Sequence, residues 1–277
     1  MKVWISCDME GVAGVSDWSQ CMPTGHGYAR GCELMLAEVN AAIDGALAAG
    51  ADDIVVNDSH GGMANLDPSA LHGRAAYLAG RHKPMYMMQG LDESVDAIFL
   101  VGYHGSISGA PSAMSHTYNP EVFSGARVNG QWVGESGINA LVAQHFGVPL
   151  ALVSGDQVTK EETLPHGPDA EYAVVKESIT RFSALNLHPE DARDLIRAAA
   201  ERAVRRVAAG EVAAPRLGTP VRLELDHQTG DMAEVASWVG GVERVSERTV
   251  AIEGDDLLAV FRRFVAVNYI TRQAGGR

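Results

Sequence analysis

Apolar and polar residues alternate in blocks along the first 155 residues, in an order typical of strands followed by helices. Four short runs are almost continuously apolar, at residues 2–6, 53–57, 97–101 and 149–154. Such runs are typical of strands that are buried on both faces, as in a parallel sheet. Residues 34–49 have the spacing of a helix rich in Ala and Leu, and Gly50 follows where a helix C-cap is expected.

A different pattern separates the third apolar run from the fourth. Asn129-Gly130 is the dipeptide favoured in two-residue hairpin turns, and it lies between the β-rich residues 122–128 and 131–133. These residues predict a β-hairpin. Residues 136–146 then predict a helix that ends at Gly147.

The pattern changes after about residue 165. A strand, an amphipathic helix, a second strand, a short helix, a hairpin and a final helix are predicted at residues 172–176, 189–209, 221–226, 232–238, 242–252 and 255–270. The sequence therefore predicts an α/β fold, with a mostly parallel sheet flanked by helices, an inserted β-hairpin and a smaller C-terminal α+β unit. We expect residues 1–165 to form the α/β core, and residues 166–277 to form a helical connection and the smaller unit.

Composition narrows the choice of partners and compartment. The 277 residues carry 22 Lys and Arg against 35 Asp and Glu, a net charge of −13. This charge argues against nucleic acid, which needs a basic surface, and against an anionic membrane. Cys7, Cys21 and Cys32 lack a Cys-x-x-Cys spacing and indicate free thiols in a reducing compartment. The apolar stretch before Asp8 is too short for a signal peptide, so we expect a cytoplasmic protein.

Side chains that can bind metals or move protons follow each of the four predicted buried strands. They are Asp8 and Glu10 after the first strand, His60 after the second, His104 after the third and Asp156 after the fourth. The carboxyl ends of parallel strands lie at one edge of a sheet, so we expect these groups to converge. Each has a simpler explanation when taken singly: a solvated turn, a helix N-cap, or a hydrogen-bonded core histidine.

Converging carboxylates repel one another and require protons or a cation. Mixed histidine and carboxylate ligands suit Zn²⁺, whereas Mg²⁺ and Ca²⁺ prefer all-oxygen shells. If Glu135 joins the set, three carboxylates and two imidazoles are available, which supports two metal ions with Asp8 as the candidate bridge. Glu135 could instead complement the dipole of the helix that it begins.

Three further residues are candidates for supporting roles. His116 lies in a loop of small residues, where it could donate or accept a proton near neutral pH. It could equally be a third histidine ligand or a surface residue. Asp58, and less strongly Asp156, are candidates for orienting a metal-binding histidine.

Taken in order, these motifs resemble the zinc-dependent D-aminopeptidase family encoded in dipeptide-transport operons. The resemblance rests on Ser6-x-Asp8-x-Glu10-Gly11, Asn57-Asp58-Ser59-His60, Gly102-Tyr103-His104, Met114-Ser115-His116 and Val133-Gly134-Glu135. It extends over nearly the whole chain, including residues 175–181.

The resemblance implies a particular site and assembly. It implies two zinc ions per subunit, a catalytic His116 and a ring-shaped homo-oligomer, a decamer. The implied metal ligands are Asp8, Glu10, His60, His104 and Glu135. The implied reaction is hydrolysis of short peptides with an N-terminal D-residue, such as D-Ala-D-Ala, by a zinc-activated water. Selectivity for D over L residues follows only from the resemblance.

Two alternatives remain open from the residues alone. A two-metal cleft also serves phosphoesterases and other amidohydrolases, although the acidic net charge disfavours a polyanionic substrate. The chain could also be a non-catalytic peptide-binding protein linked to dipeptide import. A structural zinc site would be closed and often rich in cysteine, unlike this ligand set.

Overall fold

The computed structural model describes residues 1–275. Its strands are β1 (Lys2–Cys7), β2 (Asp53–Asp58), β3 (Ala76–Leu78), β4 (Ala97–Tyr103), β5 (Phe123–Val128), β6 (Gln131–Trp132), β7 (Leu150–Asp156), β8 (Glu171–Thr180), β9 (Ser183–Asn186), β10 (Val221–His227), β11 (Val242–Arg244) and β12 (Thr249–Gly254). Its α-helices are α1 (Trp18–Cys21), α2 (Tyr28–Ala48), α3 (Glu135–Phe146), α4 (Gln157–Thr163), α5 (Pro189–Ala208), α6 (Gly230–Ala236) and α7 (Leu257–Thr271).

The larger sheet has seven strands in the order β3-β2-β1-β4-β7-β8-β9. Its neighbours pair in parallel from β3 to β8, and only β9 pairs antiparallel, with β8. Side chains of β1 alternate between two cores: Val3 and Ile5 pack with α2 and α5, whereas Trp4 packs on the side of α3. Helices therefore cover both faces, and the predicted fold class, a mostly parallel sheet flanked by helices, is confirmed.

The second sheet has five antiparallel strands in the order β11-β12-β10-β5-β6. The predicted hairpin, β5 and β6, joins it through the pairing of Ala126 with Leu225. The two sheets therefore divide the chain differently from a boundary at residue 165. Strands β8 and β9 complete the larger sheet from beyond that boundary, while β5 and β6 join the smaller one from before it. The division at residue 165 stays a prediction.

Several boundaries differ from the sequence prediction. Helix α2 begins at Tyr28 instead of residue 34, because its first turns pack against α1, which outweighs the low helix propensity of Gly31. Strand β8 extends to Thr180, and α4 follows directly after β7. Strands β3 and β9 were not predicted; each has four residues or fewer. No helix in residues 1–275 is both long and apolar enough to cross a membrane.

Candidate metal centre

The order of the strands brings the predicted residues together at one edge of the larger sheet. Asp8 directly follows β1, which lies between β2 and β4. His60 comes two residues after β2, and His104 directly follows β4. Glu135 is the first residue of α3. These residues, Glu10 and His116 are all buried.

Two glycines allow the segment after β1 to lie directly against the end of β4. The Gly11 amide donates to the Gly102 carbonyl at 2.8 Å. A Cβ at Gly11 would lie 1.8 Å from the Tyr103 carbonyl oxygen. Gly102 has φ +76°, and a Cβ there would lie 2.2 Å from the Asp8 carbonyl oxygen. Only glycine at both positions permits this close approach, which places Asp8 beside His104.

The carboxylate of Asp8 lies between two histidines. Its Oδ1 is 3.1 Å from Nδ1 of His60, and its Oδ2 is 3.4 Å from Nε2 of His104. Glu10 Oε2 is 2.9 Å from the same His60 nitrogen. On the other side, Glu135 Oε1 is 3.7 Å from His104 Nε2 and 3.6 Å from Nε2 of His116. The Asp8 carboxylate thus lies between two groups of side chains. Glu10 and His60 form one group, and His104, His116 and Glu135 form the other.

The second ring nitrogen of each histidine is held by a backbone carbonyl. His60 Nε2 donates to the carbonyl of Cys21 at 2.8 Å. His104 Nδ1 donates to Gly105 at 2.9 Å, and His116 Nδ1 donates to Met114 at 3.0 Å. Hydrogen bonds of this kind fix the tautomer and aim the remaining nitrogen, as is usual for metal-binding histidines. In all three residues the remaining nitrogen faces the carboxylates.

Two buried atoms of the centre make no hydrogen bond of good geometry among the described residues: His104 Nε2, and Glu10 Oε2 despite its 2.9 Å approach to His60 Nδ1. The pKa values of the cluster also show that it favours added positive charge, because two of its groups hold their protons more tightly than usual. Burial would lower the pKa of His104, but Glu135 and Asp8 raise it to about 10. Burial raises the pKa of Glu135 to about 8. Because divalent cations can replace such protons, the donor set fits metal binding.

The ligand-type atoms form overlapping triads whose members lie within 4.8 Å of one another. One triad holds Asp8, Glu10 and His104, and another holds His104, His116 and Glu135. The rings of His104 and His116 also stack, with centroids 4.3 Å apart. His116 is therefore part of the cluster itself, and geometry alone leaves both its ligand role and its proton-transfer role available.

Comparison with known proteins agrees with this geometry. A family model described as D-aminopeptidase matches residues 1–266. The chain belongs to the D-aminopeptidase family. It is 31% identical to the D-aminopeptidase of Bacillus subtilis (strain 168) over 271 residues, which cover 96% of each chain.

The D-aminopeptidase assignment also agrees with a solved structure. The structure is similar to the Zn-dependent D-aminopeptidase DppA from Bacillus subtilis, a self-compartmentalizing protease, with a TM-score of 0.93 and 29% sequence identity. The match covers 99% of this chain and 98% of the other. The family and the class of enzyme expected from the sequence, a metal-dependent D-aminopeptidase, are thereby confirmed.

Asp58 does not contact an imidazole in this D-aminopeptidase. Its Oδ2 accepts from the Asn65 amide at 2.6 Å and from the Tyr77 hydroxyl at 2.7 Å. Asn65 in turn donates to the His60 carbonyl at 2.8 Å. Asp58 therefore supports the loop that carries His60 instead of orienting its ring.

Asp156 likewise lies outside the cluster. It caps α4 by accepting from the Thr159 amide at 2.8 Å. Its other oxygen accepts from the Ser178 hydroxyl at 2.6 Å, and that hydroxyl accepts from the Ala113 amide at 2.8 Å. The connection ends in the loop that carries His116, so Asp156 contributes to the placement of that loop.

Sequence reasoning missed two residues that contribute to the metal centre or lie beside it. Lys176 is buried, and its Nζ donates to the carbonyls of Glu10 and Val15 at 2.7 and 2.6 Å. It therefore anchors the segment that follows β1. Cys21 Sγ lies with Glu10 and His60 in a third ligand-type triad. Burial raises the pKa of the Cys21 thiol far above its ordinary value, which disfavours the thiolate.

A cavity of about 250 Å³ opens onto the cluster. It is lined by five residues of the cluster: Asp8, Glu10, His60, His116 and Glu135. Its other lining residues include Trp18, Met22, Tyr86, Tyr118, Glu121, Arg81 and Arg272. This volume is below the range of roughly 300–1,000 Å³ typical of sites for drug-sized ligands, and suits a smaller molecule.

Proposed function

We propose that this chain is a zinc-dependent aminopeptidase that removes the N-terminal residue from short D-amino-acid peptides, with two zinc ions in each subunit. One observation carries the proposal: the two oxygens of Asp8 face different histidines, each held by a backbone carbonyl. The similarity to a zinc-dependent D-aminopeptidase supports zinc as the metal.

The proposed ligands divide around the shared carboxylate. Glu10 and His60 would hold one ion, His104 and Glu135 would hold the other, and Asp8 would contact both. When bound, zinc lowers the pKa of water and polarises a carbonyl group. Lys176 keeps Glu10 in place through its backbone carbonyl. The buried setting excludes bulk water and strengthens every charge interaction in the site.

We assign proton transfer to His116. Its Nδ1 proton is committed to the Met114 carbonyl, so its Nε2 presents a lone pair toward the cavity. Burial and the neighbouring His104 lower the pKa of His116 to about 4, which keeps the ring neutral near pH 7. A neutral imidazole in this position can accept a proton from the attacking water and pass it to the leaving amine.

The proposal includes assembly and location. We propose a ring-shaped homo-oligomer, which is supported by the similarity to a self-compartmentalizing protease. Its size, a decamer, is proposed from the family resemblance. Native mass measurement tests the number of subunits. We also propose a cytoplasmic location, which is supported by Cys7, Cys21 and Cys32 as free thiols.

The deciding experiment compares zinc content and peptide hydrolysis in the same preparation. We expect about two zinc ions per subunit and release of D-alanine from D-Ala-D-Ala but not of L-alanine from L-Ala-L-Ala. Asp8→Asn should lose zinc and activity together, since one oxygen of the bridge becomes an amide. Asp53→Asn is the matched control, because Asp53 is exposed at the opposite end of β2.

Other outcomes separate the alternatives. Zinc binding without turnover of any dipeptide would indicate a binding protein. Hydrolysis of a phosphate ester in preference to peptides would indicate a phosphoesterase. An Asp8→Asn variant with full zinc content would remove Asp8 from the metal site.

A further inference from the structure

The cavity is lined by charged groups of both signs. On it lie the carboxylates of the metal centre and two of its histidines, His60 and His116. Two arginines line it as well: Arg81, which follows β3, and Arg272, which follows α7. Both are exposed, so a ligand in the cavity can reach them.

Neither guanidinium is used by the protein itself. Among residues 1–275, the side chains of Arg81 and Arg272 have no hydrogen bond or ion pair with another residue, in contrast to Arg127, which pairs with Asp226 at 2.9 Å. Glu121 also lines the cavity, but within the described part of the chain it pairs with neither arginine. Both positive charges therefore remain available to a ligand.

The positive charges of the two arginines both lie close enough to Tyr269 to affect its ionisation. Burial raises the pKa of Tyr269, and the positive charges of Arg272 and Arg81 both oppose that rise. The guanidinium of Arg81 also lies over the loop that carries His60, with its Nη2 3.6 Å from the place of a Cβ on Gly62. The two charges thus lie near Tyr269, one of them beside the metal centre.

A short peptide has one obligatory charged group on the far side of its scissile bond, the C-terminal carboxylate. If the scissile bond lies at the metal centre, the free carboxylate of a dipeptide is the next charged group along the chain. Guanidinium groups bind carboxylates through paired, charge-assisted hydrogen bonds.

We propose that Arg81 and Arg272 bind the C-terminal carboxylate of the substrate, so that the enzyme selects peptides with a free C-terminus. This inference rests on the proposed aminopeptidase function and adds the specificity for the far end of the substrate. A C-terminal amide would leave both arginines unpaired.

The test compares kcat/KM for D-Ala-D-Ala and its C-terminal amide. Hydrogen bonds to charged groups predict a preference of roughly 10- to 100-fold for the free dipeptide over its amide. Arg81→Ala and Arg272→Ala should each reduce this ratio, mainly by raising KM for the free acid. Arg81→Lys should retain part of it. Arg262→Ala, an exposed arginine of α7 outside the cavity, is the matched control.

Zinc content is measured on every variant, so that a change in the metal site cannot be mistaken for a change in carboxylate binding. The inference is overturned if the wild-type enzyme cleaves acid and amide equally well, or if the arginine variants keep the wild-type ratio. Failure to cleave either D-peptide would instead overturn the proposed function.

Discussion

Replacing Gly11 by alanine tests whether the close approach of two strand ends builds the metal centre. A Cβ at Gly11 would lie 1.8 Å from the Tyr103 carbonyl oxygen, and ordinary contacts begin near 3.4 Å. The strands would have to separate by about 1.6 Å, since the atoms in the way belong to the backbone and no rotamer change can relieve the contact. Such a shift would break the 2.8 Å hydrogen bond from Gly11 to Gly102.

The expected cost is the sum of two effects. Overpacking in a core typically costs about 1–3 kcal/mol, and an unsatisfied buried amide a further ~1–3 kcal/mol. We therefore expect Gly11→Ala to lower the free energy of unfolding by about 4 kcal/mol. At roughly 2–4 °C for each kcal/mol in a chain of this size, Tm should fall by about 8–16 °C. Zinc affinity should fall as well, because Asp8 lies three residues away and would move relative to His104.

Thermal unfolding followed by circular dichroism, with and without zinc, measures both effects. Gly240→Ala is the control: a Cβ there has nothing within 4 Å, and its backbone is not left-handed, so the free energy of unfolding should stay within about 0.5 kcal/mol of the wild type. A Gly11→Ala protein with the wild-type Tm and zinc content would refute the proposed link between the strand contact and the site.

Two further predictions concern single side chains. His116→Ala should keep its zinc and lose roughly 10²- to 10⁴-fold in kcat, measured on D-Ala-D-Ala; loss of zinc instead would make His116 a ligand. Burial raises the pKa of Glu38 to about 7 from 4.5, although the Ala13 amide and the Lys176 charge oppose this. The folded state therefore binds more protons between these values, and rising pH should remove up to about 3 kcal/mol of stability. Urea unfolding at pH 4.5 and 8 should show this loss in the wild type but not in Glu38→Gln; equal losses in both would exclude Glu38 as the cause.

The convergence of the cluster could be predicted because it depends on local sequence and one general rule. Apolar runs identify buried parallel strands, and the ends of such strands share an edge. Asp8, His60 and His104 each follow such a run closely, and the structure brings all three together. Their roles as metal ligands remain part of the proposal.

The pairing of the hairpin could not be predicted in the same way. Asn129-Gly130 specifies only the local turn between β5 and β6. Whether β5 then pairs with β10, across the contact of Ala126 with Leu225, depends on packing between segments about 100 residues apart. No local pattern encodes such a contact.

The pattern of apolar and polar residues also could not predict which residues line the cavity or support the site. Arg81 lies in a region of short turns without helical or strand periodicity, and Arg272 lies just beyond the end of a helix. Asp58 was expected to orient a histidine, but its Oδ2 accepts from the backbone amides of Asn65 and Leu66 and from the Tyr77 hydroxyl, and its Oδ1 accepts from the side-chain amide of Asn65. Buried loop amides need hydrogen-bond acceptors. A nearby aspartate that accepts from them has no oxygen left to orient a histidine ring.

The position of β1 fits the proposed two-ion centre. Neighbouring strands are about 4.8 Å apart, so the ends of β2 and β4, on either side of β1, are separated by roughly 10 Å. In the proposed centre, the histidines that follow β2 and β4 would each bind one ion, and the strand between them would supply the shared ligand. Asp8 follows that strand and turns one oxygen to each histidine.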